Sequence, residues 1–356
     1  MVNIKTTVGA ATGAGNQDHS LAQLIQRGNL LPVISGEALE DLVLGGHNSL
    51  VGSYSEHIGY PLGDRGELHR MVKYRSLETG WKDQKVKQDY LDLVGNCVYA
   101  LARKQGVPAD QLEEAVSEAA GLTVTQFAGR LGIPRLDQGS EDPLLLLADL
   151  PLLVILTTSP YTFLEEALRR AGKEPKSELC RWHGGLNNVP SVFEPAGSGL
   201  TYHPNPHKPL VYHLFGLEDY PDSLVLTEDD YLDFLMAVSQ GRGKDWGVDP
   251  VHDVIKGALQ SSALLILGFS LSTWAFRTLY RGLIKPMPEA KLYERYCCVQ
   301  LEPNEQEKLY LESYLRQDAR FDKVYWDEIG SFCRRELRFG PPSANQRSEF
   351  VPPSDP

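Results

Sequence analysis

Residues 151–168 read PLLVILTTSPYTFLEEAL and carry the pattern that decides the fold. An apolar run over residues 152–156 ends in two threonines and a Ser-Pro pair, and apolar and charged residues then recur at helical spacing. This pattern predicts a buried strand that leads into a helix, with Ser159 as the N-cap and Pro160 in the first turn. In an open α/β sheet, ligands bind at strand-to-helix corners of this kind.

The same alternation recurs along the chain. Thr227 and Asp230 fit a capping box before a further helix, and the apolar run that reaches Gly268 precedes a helix that Ser270 or Ser272 can cap. Strands that alternate with helices predict an α/β fold, here a Rossmann-like parallel sheet flanked by helices. The other predicted strands lie in residues 30–35, 210–216 (taken as the third strand), 263–268, 292–301 and 322–326.

The pattern also suggests a domain organisation. Residues 20–46 and 150–335 are predicted to form the Rossmann-like core, and the mostly helical residues 47–149 a helical insertion between two strands of one sheet. Residues 1–19 are small and polar, which predicts a flexible N-terminus. The composition of residues 336–356 is typical of a disordered tail.

Composition and charge exclude several classes of protein. The 356 residues carry a formal net charge of -12, so a nucleic-acid partner is not expected, because such binding relies on basic residues that neutralise phosphates. No apolar stretch has the length of a membrane span or a signal peptide, and we therefore expect a cytoplasmic protein without a membrane partner. The five cysteines form no C-x-x-C pair, which argues against a four-cysteine zinc module, and adjacent Cys297 and Cys298 are interpreted as buried strand residues.

Three segments, in this order, resemble the bacterial sirtuin-like family, which includes NAD-cleaving effectors of anti-phage systems. They are TTSPYTFLEEALRRAG (157–172), VYHLFGLEDYPDSLVLTEDDYLDFL (211–235) and LLILGFSLSTWAFRTLYRGL (264–283). The resemblance covers about residues 20–285. It implies a Rossmann-like sheet with a helical insertion, NAD or a related nucleotide as ligand or substrate, and no metal. Because protein deacylases of the wider family use a zinc module, its absence argues against deacylation.

The resemblance places cofactor-binding positions at two corners. Ser35, Gly36 and Glu37 stand where the family has a loop with two glycines, and Glu37 brings a carboxylate to the expected place of the pyrophosphate. The alternative is that Ser35 caps a helix whose N-terminus Glu37 favours. At the second corner, after Thr158, Ser159 stands where the family places the asparagine that positions water or ribose. Ser159 lacks the paired donor and acceptor of an amide.

At a third strand end the resemblance places the catalytic base. The family has a histidine before a glycine there, whereas this sequence has Phe215 before Gly216, and phenylalanine cannot take a proton. His213 precedes Phe215 by two residues, so strand alternation predicts the same face, about 7 Å back along the strand. His213 is therefore either a shifted base or a hydrogen-bonded core or rim histidine. The loop residues His183, His203 and His207 could also approach the site.

At a fourth corner, Gly268 and Ser270 fit a turn that contacts ribose or phosphate. The sequence thus keeps the apolar and turn features of the family and loses the groups needed for glycosidic cleavage. One interpretation is a diverged domain of a conflict system that is impaired in NAD cleavage and acts as a nucleotide-binding or assembly module. A second is an active NAD hydrolase with a rearranged site that uses His213 or a loop histidine, and a third is an oligomeric scaffold. We expect a homo-oligomer or a partner protein from a defence system.

Overall fold

The structure is a computed structural model that describes residues 21–64, 67–136, 139–194, 202–240, 249–270, 273–285, 297–302, 308, 311–312, 315 and 321–338. The predicted flexible N-terminus, residues 1–19, and most of the predicted tail, from residue 339 onward, lie outside these ranges. The strands are β1 Leu30–Ile34, β2 Val154–Thr157, β3 Lys176–Leu179, β4 Leu210–His213, β5 Ala263–Leu267, β6 Cys297–Leu301 and β7 Lys323–Trp326.

The strands form one parallel sheet in the order β3-β4-β2-β1-β5-β6-β7, which confirms the predicted α/β, Rossmann-like fold. Strand β3 was not predicted. Its sequence KSEL is polar and its first residues are exposed, as is common at a sheet edge, so it carries no apolar signal. The strand predicted over residues 210–216 is consequently the fourth, and it ends at His213 rather than continuing to Gly216.

The α-helices before β2 are α1 Leu21–Gln26, α2 Gly36–Val43, α3 His47–His57, α4 Leu68–Thr79, α5 Asp83–Lys104, α6 Ala109–Ser117, α7 Val124–Arg130 and α8 Pro143–Asp149. Those after it are α9 Phe163–Arg170, α10 Glu228–Gln240, α11 Asp253–Ser261, α12 Trp274–Leu279 and α13 Ile329–Glu336. Helices α3 to α8 therefore follow one another between two adjacent strands of the sheet. Of the helices that the structure describes, none is long and apolar enough to cross a membrane.

Alternate side chains of the strands feed two cores. Leu30, Ile155 and Leu265 pack in the core that also contains residues of α1 to α9 and α13. Leu31 and Leu264 point to the opposite face, where they share a core with α10, α11 and α12. This alternation is the period of two expected for strands covered on both faces, and it leaves the carboxyl ends of the strands at one edge of the sheet.

The structure confirms some of the predicted helix caps and contradicts others. Ser35 accepts the Ala38 N–H and caps α2, and Thr227 and Asp230 make the predicted reciprocal hydrogen bonds. The predicted N-cap at Ser159 is wrong, because α9 begins only at Phe163 and the Ser159 Oγ instead accepts the Tyr161 N–H within a turn. Helix α12 is capped by the Thr273 hydroxyl and not by Ser270, and Ser272 lies outside the described residues.

Candidate functional site

A small pocket, called here the strand-end pocket, lies at the carboxyl ends of β1, β2 and β4 and has a volume of about 80 Å³. It brings together five of the residues singled out in the sequence, namely Ser35, Gly36, Glu37, Thr158 and Phe215. Five others are placed elsewhere: Ser159, His213, Gly216, Gly268 and Ser270 do not line it. Its remaining lining residues include Glu40, His47, Tyr90, Pro160 and Tyr231.

The N-terminus of α2 faces this pocket, but two of its amide donors are already used. The Gly36 N–H donates to the Thr158 Oγ1 at 2.8 Å, and the Ala38 N–H donates to the Ser35 Oγ at 3.0 Å. The Ser35 hydroxyl in turn donates to the Gly268 carbonyl oxygen at 2.5 Å. A phosphate group at this helix N-terminus would use these N–H groups, so the protein itself satisfies two of the donors that an anion would need.

Backbone packing closes the same corner. A Cβ added to Gly268, which has a φ of +69°, would lie 2.3 Å from the Ala38 Cβ, and one added to Gly36 would lie 3.4 Å from the Ser159 Cα. The loops that follow β5 and β2 therefore both touch the first turn of α2. The close approach that the family's glycines provide for a dinucleotide is used here for contact between protein segments.

Glu37 adds an anion to this corner. Burial raises the pKa of its carboxyl group, the neighbouring His47 charge lowers it, and a hydrogen bond from the Ser270 backbone N–H lowers it as well. The ionised form thus accepts the loop N–H that follows β5, as an external anion would. Ser270 contributes its backbone to the site, while its exposed side chain does not line the pocket.

A histidine from α3 pairs with a carboxylate of α2 beside Glu37. The His47 Nδ1 lies 2.5 Å from the Glu40 Oε2, and Glu40 is only 5% exposed. Burial alone lowers the pKa of His47, but the hydrogen bond and charge of Glu40, together with the charges of Glu37 and Asp41, raise it to about 9. At neutral pH the pocket therefore holds an imidazolium between carboxylates.

His213 lies away from the pocket and has no exposed surface. Its Nδ1 is 2.7 Å from the Ser159 carbonyl oxygen, and its Nε2 is 2.8 Å from the Glu165 Oε1 on α9. Burial lowers the pKa of His213, while the charge and hydrogen bond of Glu165 outweigh that effect and raise it. His213 is thus a buried, hydrogen-bonded residue that joins the end of β4 to the β2–α9 corner.

The prediction that His213 and Phe215 share a face is wrong. Phe215 packs edge-on against Tyr231 and Phe234 of α10, with ring centroids 5.3 and 5.0 Å apart, whereas His213 contacts α9 in the opposite layer. Alternation holds only within a strand, and β4 ends at His213, so the following turn redirects Phe215. The position that the resemblance gives to the catalytic base is therefore part of an aromatic cluster.

Residues 153–317 match a known family, described as SIR2-like domain. This part of the chain is similar to SIR2-like domains. The match includes strands β4 and β5, whereas the β1–α2 corner with Ser35, Gly36 and Glu37 precedes it. A comparison with curated proteins found no match.

Sequence reasoning missed the His47–Glu40 pair, which precedes the matched residues. The signal was present in Gly45 and Gly46, whose φ angles of +82° and +118° let the chain reverse between α2 and α3. This reversal places His47 back against Glu40, seven positions earlier, and the Asp41 Oδ1 accepts the His47 N–H at 2.7 Å. Two consecutive glycines before a histidine are typical of a turn, but they do not indicate which helix face the histidine meets.

The other histidines considered from the sequence lie outside the strand-end pocket. The His183 Nδ1 accepts the Gly185 N–H, and His207 is exposed beside Glu174. Within the residues that the structure describes, no group of three or more histidine, cysteine, aspartate or glutamate residues has the geometry to hold a metal ion.

Proposed function

We propose that this chain is a diverged sirtuin-like module of a bacterial anti-phage or conflict system, impaired in NAD cleavage, that acts in the cytoplasm through assembly or nucleotide binding. The observation that carries the proposal is the state of the α2 N-terminus. Its Gly36 and Ala38 amides donate to Thr158 and Ser35, and Glu37 places a carboxylate in the adjoining pocket. Such a corner repels the pyrophosphate of NAD and offers it few free donors.

The candidate catalytic residues support the same conclusion. Cleavage of the nicotinamide–ribose bond needs a base that can reach the site, and Phe215 supplies none. His213 is fully buried and engaged by Glu165 and Ser159. The Ser159 hydroxyl is also buried and is used by the Tyr161 N–H, so it does not face a substrate.

An assembly role has support from the surface of α10. Leu232 and Met236 lie four residues apart on this helix and are 46% and 51% exposed. Residues at this spacing share one helix face, so a second copy of the chain or a partner protein could cover them. A homo-oligomer or a complex with a defence-system protein is therefore the proposed working state.

The test is to incubate the full chain with NAD and follow free nicotinamide, with and without the product of the neighbouring gene. We expect release well below about 1 per second, the low end of ordinary enzyme turnover. Faster release would support an active hydrolase with a rearranged site and overturn the proposal. His47→Gln would then be the first variant to examine, because His47 is the ionisable imidazole that lines the pocket.

Calorimetry with NAD separates the nucleotide-binding and assembly forms of the proposal. If Glu37 excludes the pyrophosphate, Glu37→Gly should bind NAD more tightly than the parent chain, and Glu37→Gln should show part of that gain. If none of the three proteins binds NAD while all remain folded, nucleotide binding is ruled out and the assembly role remains.

A further inference from the structure

A groove of about 850 Å³ lies between α5, the α6–α7 segment and the loop after β4, and no residue of α2 lines it. We call it the helical groove. Its volume falls within the range of about 300–1,000 Å³ that is typical of small-molecule sites. The strand-end pocket has about 80 Å³.

The groove combines apolar walls with carboxyl groups. Leu91, Phe127 and the half-exposed Val116 supply apolar surface, and Tyr99 adds an aromatic ring. Three carboxyl groups line the groove, from Asp92, Glu218 and Asp219, and its described lining includes no lysine, arginine or histidine.

Of these three carboxyl groups, Glu218 says most about a possible ligand, because it is only 4% exposed. Its two oxygens share the Thr125 N–H, at 3.4 and 3.1 Å, and the Thr123 and Thr125 hydroxyls also contact it. These donors are neutral, so among the described residues the ionised carboxylate has no counter-charge in hydrogen-bond contact, at a place where water is largely excluded. Burial, and then the charge of Asp219, raise the pKa of Glu218 to about 7.

We infer that the helical groove binds a small organic cation with an apolar body, such as an alkyl or aryl amine, whose charged group lies against Glu218. The apolar body would cover Leu91 and Phe127, and the exposed carboxylates of Asp92 and Asp219 would attract the cation at the rim. A cation beside Glu218 supplies the missing counter-charge, and a charge-assisted hydrogen bond there is stronger than a neutral one. This inference does not depend on the proposed function.

Tryptamine and its neutral analogue tryptophol, which has a hydroxyl in place of the ammonium group, are suitable probes for calorimetry with the full chain. Tryptamine should bind saturably and at least about tenfold more tightly than tryptophol, since only the amine meets the buried carboxylate with a charge. Equal binding of the two probes, or no saturable binding of tryptamine, would overturn the inference.

Variants of the acidic residues test whether the bound cation lies at Glu218. Glu218→Gln should weaken tryptamine binding about tenfold and leave tryptophol binding unchanged, and the exposed Asp219→Asn should have a smaller effect in the same direction. The matched control is Glu113→Gln, which removes the same charge from an exposed position of α6 outside the groove. If Glu218→Gln and Asp219→Asn both behave like Glu113→Gln in folded protein, the cation does not lie at Glu218.

Proton release gives a second readout. At pH 7 about half of the Glu218 carboxyl groups are protonated, so a bound cation should displace about half a proton, and less at pH 8.5. Asp219, His213 and Tyr161 are the charged or titratable groups coupled to Glu218, and Asp92 shares its groove. Calorimetry in buffers of different ionisation enthalpy measures the release, and Glu218→Gln should abolish it. Release that persists in this variant would contradict the inference.

Discussion

The strand-end pocket and the helical groove differ in how their polar groups are satisfied. In the pocket, the Gly36 and Ala38 amides, the Ser35 hydroxyl and the Glu40–His47 pair all have partners within the protein. In the groove, the donors that the described part of the chain offers to the buried carboxyl of Glu218 are neutral. At the corner that the family resemblance assigns to NAD, the protein thus satisfies these polar groups with its own atoms. The room for a ligand then lies between the helices.

Removing one partner of the buried Glu165–His213 pair should have the largest effect on stability. Glu165 and His213 both have no exposed side-chain surface, and the Ser177 hydroxyl donates to the same Glu165 oxygen. We expect Glu165→Ala to lower the free energy of unfolding by about 3–5 kcal/mol, since His213 then loses its charged partner. Chemical denaturation measures this change. Glu165→Gln, which keeps an acceptor, should cost less, and a loss below about 1 kcal/mol for Glu165→Ala would contradict the prediction.

Replacing a glycine by alanine should have opposite effects on stability in the two regions. Gly268→Ala should destabilise the protein by about 3 kcal/mol, because a left-handed φ and a contact with the Ala38 Cβ both oppose the new Cβ. Gly95→Ala, in α5 at the helical groove, should raise stability by about 0.5–1 kcal/mol, because its Cβ would meet no atom within 4 Å. Thermal and chemical unfolding of both variants check the prediction. Equal changes would show that the two regions are not packed differently.

The strand-end pocket and the helical groove should lose stability over different ranges of pH. His47 has a folded pKa of about 9, above its model-peptide value of 6.5, so its stabilisation is complete below pH 6.5 and is lost as pH rises through 9. Glu218 has a folded pKa of about 7, above 4.5, so its contribution is complete below pH 4.5 and is lost as pH rises through 7. Each loss amounts to at most about 3 kcal/mol.

Unfolding curves between pH 4 and pH 10 test these two windows. Glu218→Gln should reduce the pH dependence between 4.5 and 7, where the raised pKa of Glu37 leaves some dependence, and His47→Gln should reduce that between 6.5 and 9. Some dependence should remain in the upper window, because the charge and hydrogen bond of Glu165 raise the pKa of His213 against the effect of burial. If each variant alters the other window instead, the assignment of the titrations is wrong.

The sequence predicted the parts of the fold that depend on local patterns. Apolar runs identified β1, β2 and β5, and side-chain spacing identified the caps at Ser35 and Thr227. The polar edge strand β3 was missed because its sequence KSEL has no apolar run, as is possible for a strand that pairs with β4 alone. The start of α9 was placed too early, since a Ser-Pro pair fits a turn as well as a cap.

The candidate site was predicted less completely, because its contacts join distant segments. Family positions located Ser35, Gly36, Glu37, Thr158 and Phe215 in the pocket, but not the direction of each donor. The contact of His213 with Glu165 depends on how α9 crosses β4, over 48 residues of sequence separation. Alternation failed at Phe215 because it assumes that a strand continues, and hydrophobicity does not show where the strand ends.

The smallest expected effect comes from the glutamate next to Glu165. The spacing of α9 predicts that Glu165 and Glu166 both form ion pairs with Arg169 and Arg170, but the structure turns Glu165 into the core and leaves Glu166 paired with Arg169 at 2.9 Å. Glu166 and Arg169 are 49% and 53% exposed, so water and salt screen the pair.

Glu166→Gln should therefore change the free energy of unfolding by less than about 0.5 kcal/mol, and by less still at 1 M salt. Chemical denaturation at two salt concentrations, beside the matched Glu165→Gln, measures the contrast between adjacent positions of one helix. A cost at Glu166 as large as that at Glu165 would mean that α9 is rotated relative to β4. The His213 hydrogen bond, and with it the argument that His213 cannot serve as a base, would then fail.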